Sequence, residues 1–167
     1  SPSLHGFSMW IEQILAESTG KDGRGIIPVT GEPLMDPSDY GMDRWFVFLK
    51  FDGDDCVEID RFQCELKSTG HPIVEFTLND RSELGAEFYR WEFATTVAAH
   101  IMTVHPFNQP DVQQAKELTD REILRFRQDN IFPDVSPMGS LTALLNEAVH
   151  GDYLAILAFM AETKETN

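Results

Sequence analysis

The sequence predicts an α/β fold: a three-layer αβα sandwich around a mainly parallel sheet of four to five strands. Three observations carry this. The runs "RWFVFLKF" at 44–51 and "IVEFTL" at 73–78 are nearly continuous in apolar character and rich in β-branched and aromatic residues, as in strands covered on both faces. Segments of helical periodicity separate them. The chain has 167 residues and is 42% hydrophobic, enough for one core. An all-helical fold would have to place both runs in helices, against their composition.

The first element reads as a helix from about Phe7 to Thr19. Phe7, Trp10, Ile11, Ile14 and Leu15 form an apolar stripe. Gly20 is expected to end it in the left-handed conformation, with Lys21 near the negative end of the helix. "GIIPV" at 25–29 reads as a short strand, placed at an edge by Pro28. Residues 31–43 form a long loop rich in Gly, Pro and Asp. After the strand at 44–51, residues 54–69 read as a helix with Ile59, Phe62 and Leu66 inward. Gly70 and Pro72 stop it before the strand at 73–78.

Asp80 and Glu83 have capping-box spacing and open a helix expected to reach about Val104. Its centre, "ATTVAA" at 94–99, is built from small residues and invites a close neighbour. "HPFNQP" at 105–110 breaks it, and Pro110 suits the first position of the next helix. A second break at 130–140 leads to a short helix around "LTALLNEAV" and a further buried strand at 153–160. Residues 161–167 read as a polar tail.

Charge and composition narrow the function. A net charge of −15 repels nucleic acid and anionic lipid, so neither is expected as a partner. The longest apolar run, at 153–161, is too short to span a bilayer. Cys56 and Cys64 lie too far apart on one helix for a disulfide and read as small core residues. Free thiols fit a reducing, cytoplasmic setting. His5, His71, His100, His105 and His150 are scattered without metal-ligand spacing and read as structural or solvated, with His105 nearest a motif. Glu87 and Glu92 flank Trp91, and the simplest role for them is surface exposure or pairing with Arg90.

Two constellations carry chemistry. At about 100° per residue, Glu17 falls only about 20° from Trp10, on the apolar side of the first helix, with Gln13 one turn earlier on the same side. A carboxylate beside apolar groups at the negative end of a helix is the setting a general base near neutral pH requires. In "FNQPDVQQAK", Gln109 precedes a helix and Lys116 follows two turns later, so both can address one side. Each constellation alone has a plain alternative, a frayed helix end in one case and a cap with an exposed lysine in the other.

Taken together they resemble the glucose-6-phosphate isomerase family. "Q-x-x-x-E-S-x-G-K", Gln13 to Lys21, is similar to the segment that supplies the family's catalytic base. "F-x-Q-x-x-V-x-x-x-K", Phe107 to Lys116, is similar to its C-terminal signature, and both occur in the family's order. "ELGAEFYRWEFATTVAAH" resembles the variant in fused transaldolase/glucose-6-phosphate isomerase proteins. The resemblance implies a sugar-isomerase-type αβα domain. It also implies interconversion of glucose 6-phosphate and fructose 6-phosphate, a step of glycolysis and gluconeogenesis, with no metal and no cofactor.

It makes Glu17 the base that moves a proton between C1 and C2 through an enediolate, and Lys116 the cation near the ring and carbonyl oxygens. Gln13 and Gln109 become substrate contacts. Thr19, Asn108 and Pro110 depart from the family's usual Asn, Asp and aromatic residue. The family's Ser/Thr-rich phosphate loop and its ring-opening histidine have no clear match. The "STG" runs at 18–20 and 68–70 do not read as anion sites at helix N-termini. The expectation is therefore one domain, residues 1–167, cut from a larger, bifunctional chain. Its partners would be a sugar-phosphate substrate and the remaining subdomains, and alone it would be inactive. A non-catalytic sugar-phosphate-binding module, or an assembly module of the same fold, is the alternative.

Overall fold

The computed structural model describes residues 1–131 and 139–149, together with Asp152, Leu154 and Thr163. The chain divides into two compact units, residues 1–115 and 116–167. The described elements run α1 (His5–Thr19), β1 (Phe46–Phe51), α2 (Val57–Ser68), β2 (Ile73–Leu78), α3 (Leu84–Ile101), α4 (Pro110–Asp129) and α5 (Leu141–Glu147).

β1 and β2 are parallel and in register from Phe46 opposite Ile73 to Phe51 opposite Leu78. The crossover between them carries α2, as parallel pairing requires. Alternation along each strand sorts side chains to two faces. Val47, Leu49, Phe51, Phe76 and Leu78 meet Phe7, Ile11 and Leu15 of α1 and Trp91 of α3. Phe46, Phe48 and Ile73 meet Phe62 and Leu66 of α2, and Tyr40 closes that side. Helices thus cover both faces of a two-stranded parallel sheet. Where four to five strands were expected, the described residues form two. The run at 153–160 lies, apart from Leu154, outside the described residues.

"GIIPV" is not a strand. Pro28 has no N–H to give, and the amides on either side find acceptors on α1. Ile26 N donates to Thr19 Oγ1 (3.0 Å) and Thr30 N to Glu12 Oε2 (3.1 Å). These two amides are therefore bonded without a ladder, and only Ile26 packs on the core while Ile27 and Val29 are exposed.

The other boundaries shift locally. α2 begins at Val57, whose N–H is taken by Asp55 Oδ1 (3.2 Å). Asp80 and Glu83 cap the turn before α3, where Asp80 Oδ1 accepts from Ser82 N and Glu83 Oε2 from Asn79 N. This turn, Arg81–Glu83, is a 3-10 helix, so the α-helix proper starts at Leu84. α3 ends before Val104, because Thr103 turns left-handed (φ 61°) and its N–H donates to His100 O, while Val104 N donates to Ala99 O. That is a Schellman closure with threonine where glycine is usual. In the long loop, Asp36 caps a turn at Pro37–Asp39, and buried His71 bonds Pro37 O through Nε2 (3.2 Å). Cys64 is exposed, contrary to a core role: on α2 it follows the inward pair Phe62 and Gln63 and faces outward.

In the second unit the rest of α4 closes at Asn130 (φ 54°), which donates to Phe126 O (2.7 Å), and α5 follows. Among the described residues no helix is long and apolar enough to cross a membrane, and no cluster of metal-ligating side chains occurs.

One polar network ties the sheet to α2. Lys50 on β1 donates to Gln63 Oε1 (2.9 Å) and Glu75 Oε2 (2.9 Å) and pairs with Asp60. Gln63 Nε2 donates to the same Glu75 oxygen (2.6 Å). Hydrogen bonds from Lys50, and then from Gln63, hold the Glu75 carboxyl below its ordinary range. Burial alone would lower Lys50, but its bonds to Asp60 and Glu75 outweigh this and raise it, so it stays cationic wherever Glu75 titrates. A depressed carboxyl contributes stability above its unfolded value, and that stability is lost as pH falls through the folded one. Melting temperature should therefore drop on acidification below the ordinary glutamate range, and Glu75→Gln should lack that component of the drop. An identical acid limb in the variant would show that the network contributes nothing.

Candidate functional site: the carboxylate at the end of α1

The last four carbonyls of a helix have no partner within it. At the end of α1 each finds one. Gly20 N donates to Ala16 O (2.9 Å), Lys21 N to Thr19 O (2.9 Å), and Lys21 Nζ to both Glu17 O (2.7 Å) and Ser18 O (2.8 Å). Lys21 is buried, so its ammonium serves as an internal cap at the negative helix end, as the sequence led one to expect. Thr19, fully buried, donates its hydroxyl to Leu15 O (2.6 Å) and accepts from Ile26 N.

Gly20 is not left-handed: its φ is −74°. Glycine is needed there for space, since a Cβ would stand 2.7 Å from Ala16 O, and Gly25 also passes close by. The left-handed residues come next, Asp22 (φ 56°) and Gly23 (φ 70°), between Lys21 and Arg24, which exchange backbone hydrogen bonds in both directions (3.0 Å each). This is a two-residue type I′ turn of the Asp-Gly kind.

On this cap stands Glu17. Its two oxygens are held by different segments: Gln13 Nε2 donates to Oε1 (3.2 Å) and Gln109 Nε2 to Oε2 (3.1 Å). Gln13 comes from one turn earlier on α1, whereas Gln109 comes from 92 residues away, just before α4. The setting beside apolar groups expected for Glu17 is not what the chain presents. Gln13, Glu17 and Gln109 are all exposed, and the company of the carboxylate is amide. α1 outruns the apolar layer there, whose α1 members end at Leu15.

Gln109 is delivered by a short, ordered approach. Val104 is buried, and His105 Nδ1 accepts from Phe107 N (3.2 Å). His105, noted in the sequence only for its proximity, thus shapes the turn that leads to the site. Pro110 opens α4 as expected, and Gln113 N donates to Gln109 O (3.0 Å). Lys116 is exposed on α4 and belongs to the second unit. The structure therefore joins three of the four residues singled out from the sequence and places the fourth on α4.

Both "STG" runs lie at helix C-termini, those of α1 and α2, the wrong end for an anion. Glu87 is buried and pairs with Arg90 (3.3 Å). Sequence reasoning did not assign the hydroxyl of Thr19 or the turn at Lys21–Arg24, although the Asp-Gly dipeptide was the signal for the latter.

Chemically, two amide N–H groups fix the direction of one carboxylate without neutralising it and leave lone pairs on each oxygen for a substrate proton. That is the equipment of a positioned general base.

With this geometry in place, the relatives are informative. The chain is similar to the glucose-6-phosphate isomerase of Enterococcus faecalis strain ATCC 700802 / V583, 28% identical over 151 residues, covering 69% of this chain and 34% of that protein. It is 26% identical over 152 residues to the same-named protein of Lactobacillus helveticus strain DPC 4571, again covering 69% and 34%. For that of Methanocaldococcus jannaschii it is 25% identical over 153 residues, covering 72% and 38%. The chain spans about a third of the length of these curated relatives. No family model and no solved structure matches it.

Gly20→Ala should lower stability by about 1–3 kcal/mol through overpacking against Ala16 O, since its φ would otherwise accept alanine. Urea unfolding checks this, and unchanged stability would mean the close approach is not fixed.

Proposed function

We propose that this chain is the proton-transfer part of a glucose-6-phosphate isomerase, interconverting glucose 6-phosphate and fructose 6-phosphate. The observation that carries the reading is the meeting of two segments 92 residues apart: Gln109 of "FNQP" and Gln13 of "QILAES" both bond the Glu17 carboxylate. These are the two segments whose resemblance pointed to the family. The similarity to curated isomerases supports it at the level of the family.

In this reading Glu17 removes the proton next to the sugar carbonyl and returns it one carbon along, through an enediolate. Such a proton is only weakly acidic, so the base must be held in place and the developing oxyanion must meet positive charge. Lys116 supplies that charge and assists ring opening. Gln13 and Gln109 orient the base and, when substrate is bound, contact its hydroxyl oxygens. The phosphate site and the ring-opening histidine come from parts of a longer parent chain, which also keep water from the exposed Glu17. The parent is an isomerase of the cytoplasm, and the "ELGAEFYRWEF" segment favours a fusion with a transaldolase. The isolated 167 residues are inactive.

In the full-length protein, Glu17→Gln keeps the side chain's size but removes the base and one of the two acceptor oxygens that the glutamine amides use. Its kcat should fall by about 10²–10⁴-fold, with KM near the wild-type value. Near-normal turnover of fructose 6-phosphate by this variant would remove Glu17 from the mechanism.

A further inference from the structure

The contact between Gln109 and Glu17 depends on how the C-terminal ends of α1 and α3 are held together. The two helices run alongside one another. In their first halves Phe7 and Trp10 of α1 meet Phe88 of α3, with ring centroids 4.9 and 4.5 Å apart. Beyond their ends, Arg24 Nη1 donates to Met102 O (2.8 Å), 78 residues along the chain.

Both ends of this tie lie in hydrogen-bonded turns. Arg24 closes the type I′ turn after α1, where the left-handed Asp22 and Gly23 fix the direction in which it leaves. Met102 is the C-cap of α3, just before Thr103 and Val104, whose N–H groups engage His100 O and Ala99 O in the Schellman closure. Its own carbonyl accepts from Arg24, and a cation is a favoured partner at the negative end of a helix. From Met102 only residues 103–108 lead to Gln109, and they are constrained by buried Val104, by Pro106 and by the bond from Phe107 N to His105 Nδ1. A displacement of Met102 is therefore carried to the Gln109 amide.

We infer that Arg24 is a positioning residue: through Met102 O it sets the Gln109 amide against the Glu17 carboxylate. Its relevance to catalysis rests on the reading of Glu17 as the base. Arg24 itself is exposed and takes no part in the core, so its effect should be local.

The test is made on the 15N-labelled 167-residue chain, following the side-chain amide signals of Gln13 and Gln109 by NMR. Glu17→Ala, which removes both acceptor oxygens, identifies the contacts by displacing both sets of signals. In Arg24→Ala the Gln109 signals should move to where they lie in Glu17→Ala, while those of Gln13 and the backbone amides of Leu15 and Lys21 stay in place. Arg24→Lys, which can still donate to a carbonyl, should restore the Gln109 shift in part. Gln109 signals unchanged in Arg24→Ala would overturn the inference. So would simultaneous loss of the Gln13 signals, which would make Arg24 a general support of α1. Should Arg24→Ala not fold, Arg24→Met, which has no donor, is read by the same criteria. The readout is a contact in the free chain, so it stands apart from turnover by Glu17→Gln, which decides the isomerase reading.

Discussion

A helix that carries a carboxylate in its last turn faces a conflict: that turn also exposes backbone carbonyls that need donors and repel a neighbouring negative charge. Here one buried lysine resolves it. Lys21 Nζ takes the carbonyls of Glu17 and Ser18, Lys21 N takes that of Thr19, and Gly20 N takes that of Ala16. The turn cannot fray without leaving a buried ammonium unsatisfied, which is costly. Glu17 is thereby presented from a fixed backbone, and its side chain can be steered by the two glutamine amides. Thr19 extends the cap sideways by accepting Ile26 N, which turns "GIIPV" into a strap along α1.

The rest of the first unit serves this end. β1 and β2 give α1 and α3 a common apolar face, so the two helices lie side by side. Their shared direction brings the end of α3 to the end of α1, and the short segment after it carries Gln109 across. The Lys50–Glu75–Gln63 network works on the other face, joining α2 to the sheet through charge and amide groups where apolar packing by Phe62 and Leu66 leaves off.

Much of this was legible in the sequence where local chemistry decides. The Ile73–Leu78 strand, the Phe7–Leu15 stripe and the break before Pro110 follow from composition, periodicity and proline stereochemistry, and tertiary packing only confirmed them. Errors arose where a distant group competed with a local preference. Residues 25–29 are apolar enough for a strand, but Thr19 and Glu12 supply the acceptors that a sheet would have offered. Gly20 looked like a left-handed stop, yet its glycine answers to the nearness of Ala16 O, and the left-handed turn falls on Asp22 and Gly23. At the site, spacing along α1 put Gln13 and Glu17 together, since four residues make about one turn. No periodicity could pair Glu17 with Gln109, and only the joint presence of two family-like segments hinted at it. Angular position on the helix also suggested an apolar setting for Glu17, because a helical wheel cannot tell where the covering layer ends.

The account turns on the mutual dependence of Glu17 and Gln109. A double-mutant cycle, with Glu17→Ala, Gln109→Ala and the pair, measured by urea unfolding of this chain, tests it most directly. The contact predicts a coupling of at least about 0.5 kcal/mol between the two changes, as for residues that touch. Effects that add to within about 0.3 kcal/mol, as for independent sites, would contradict it.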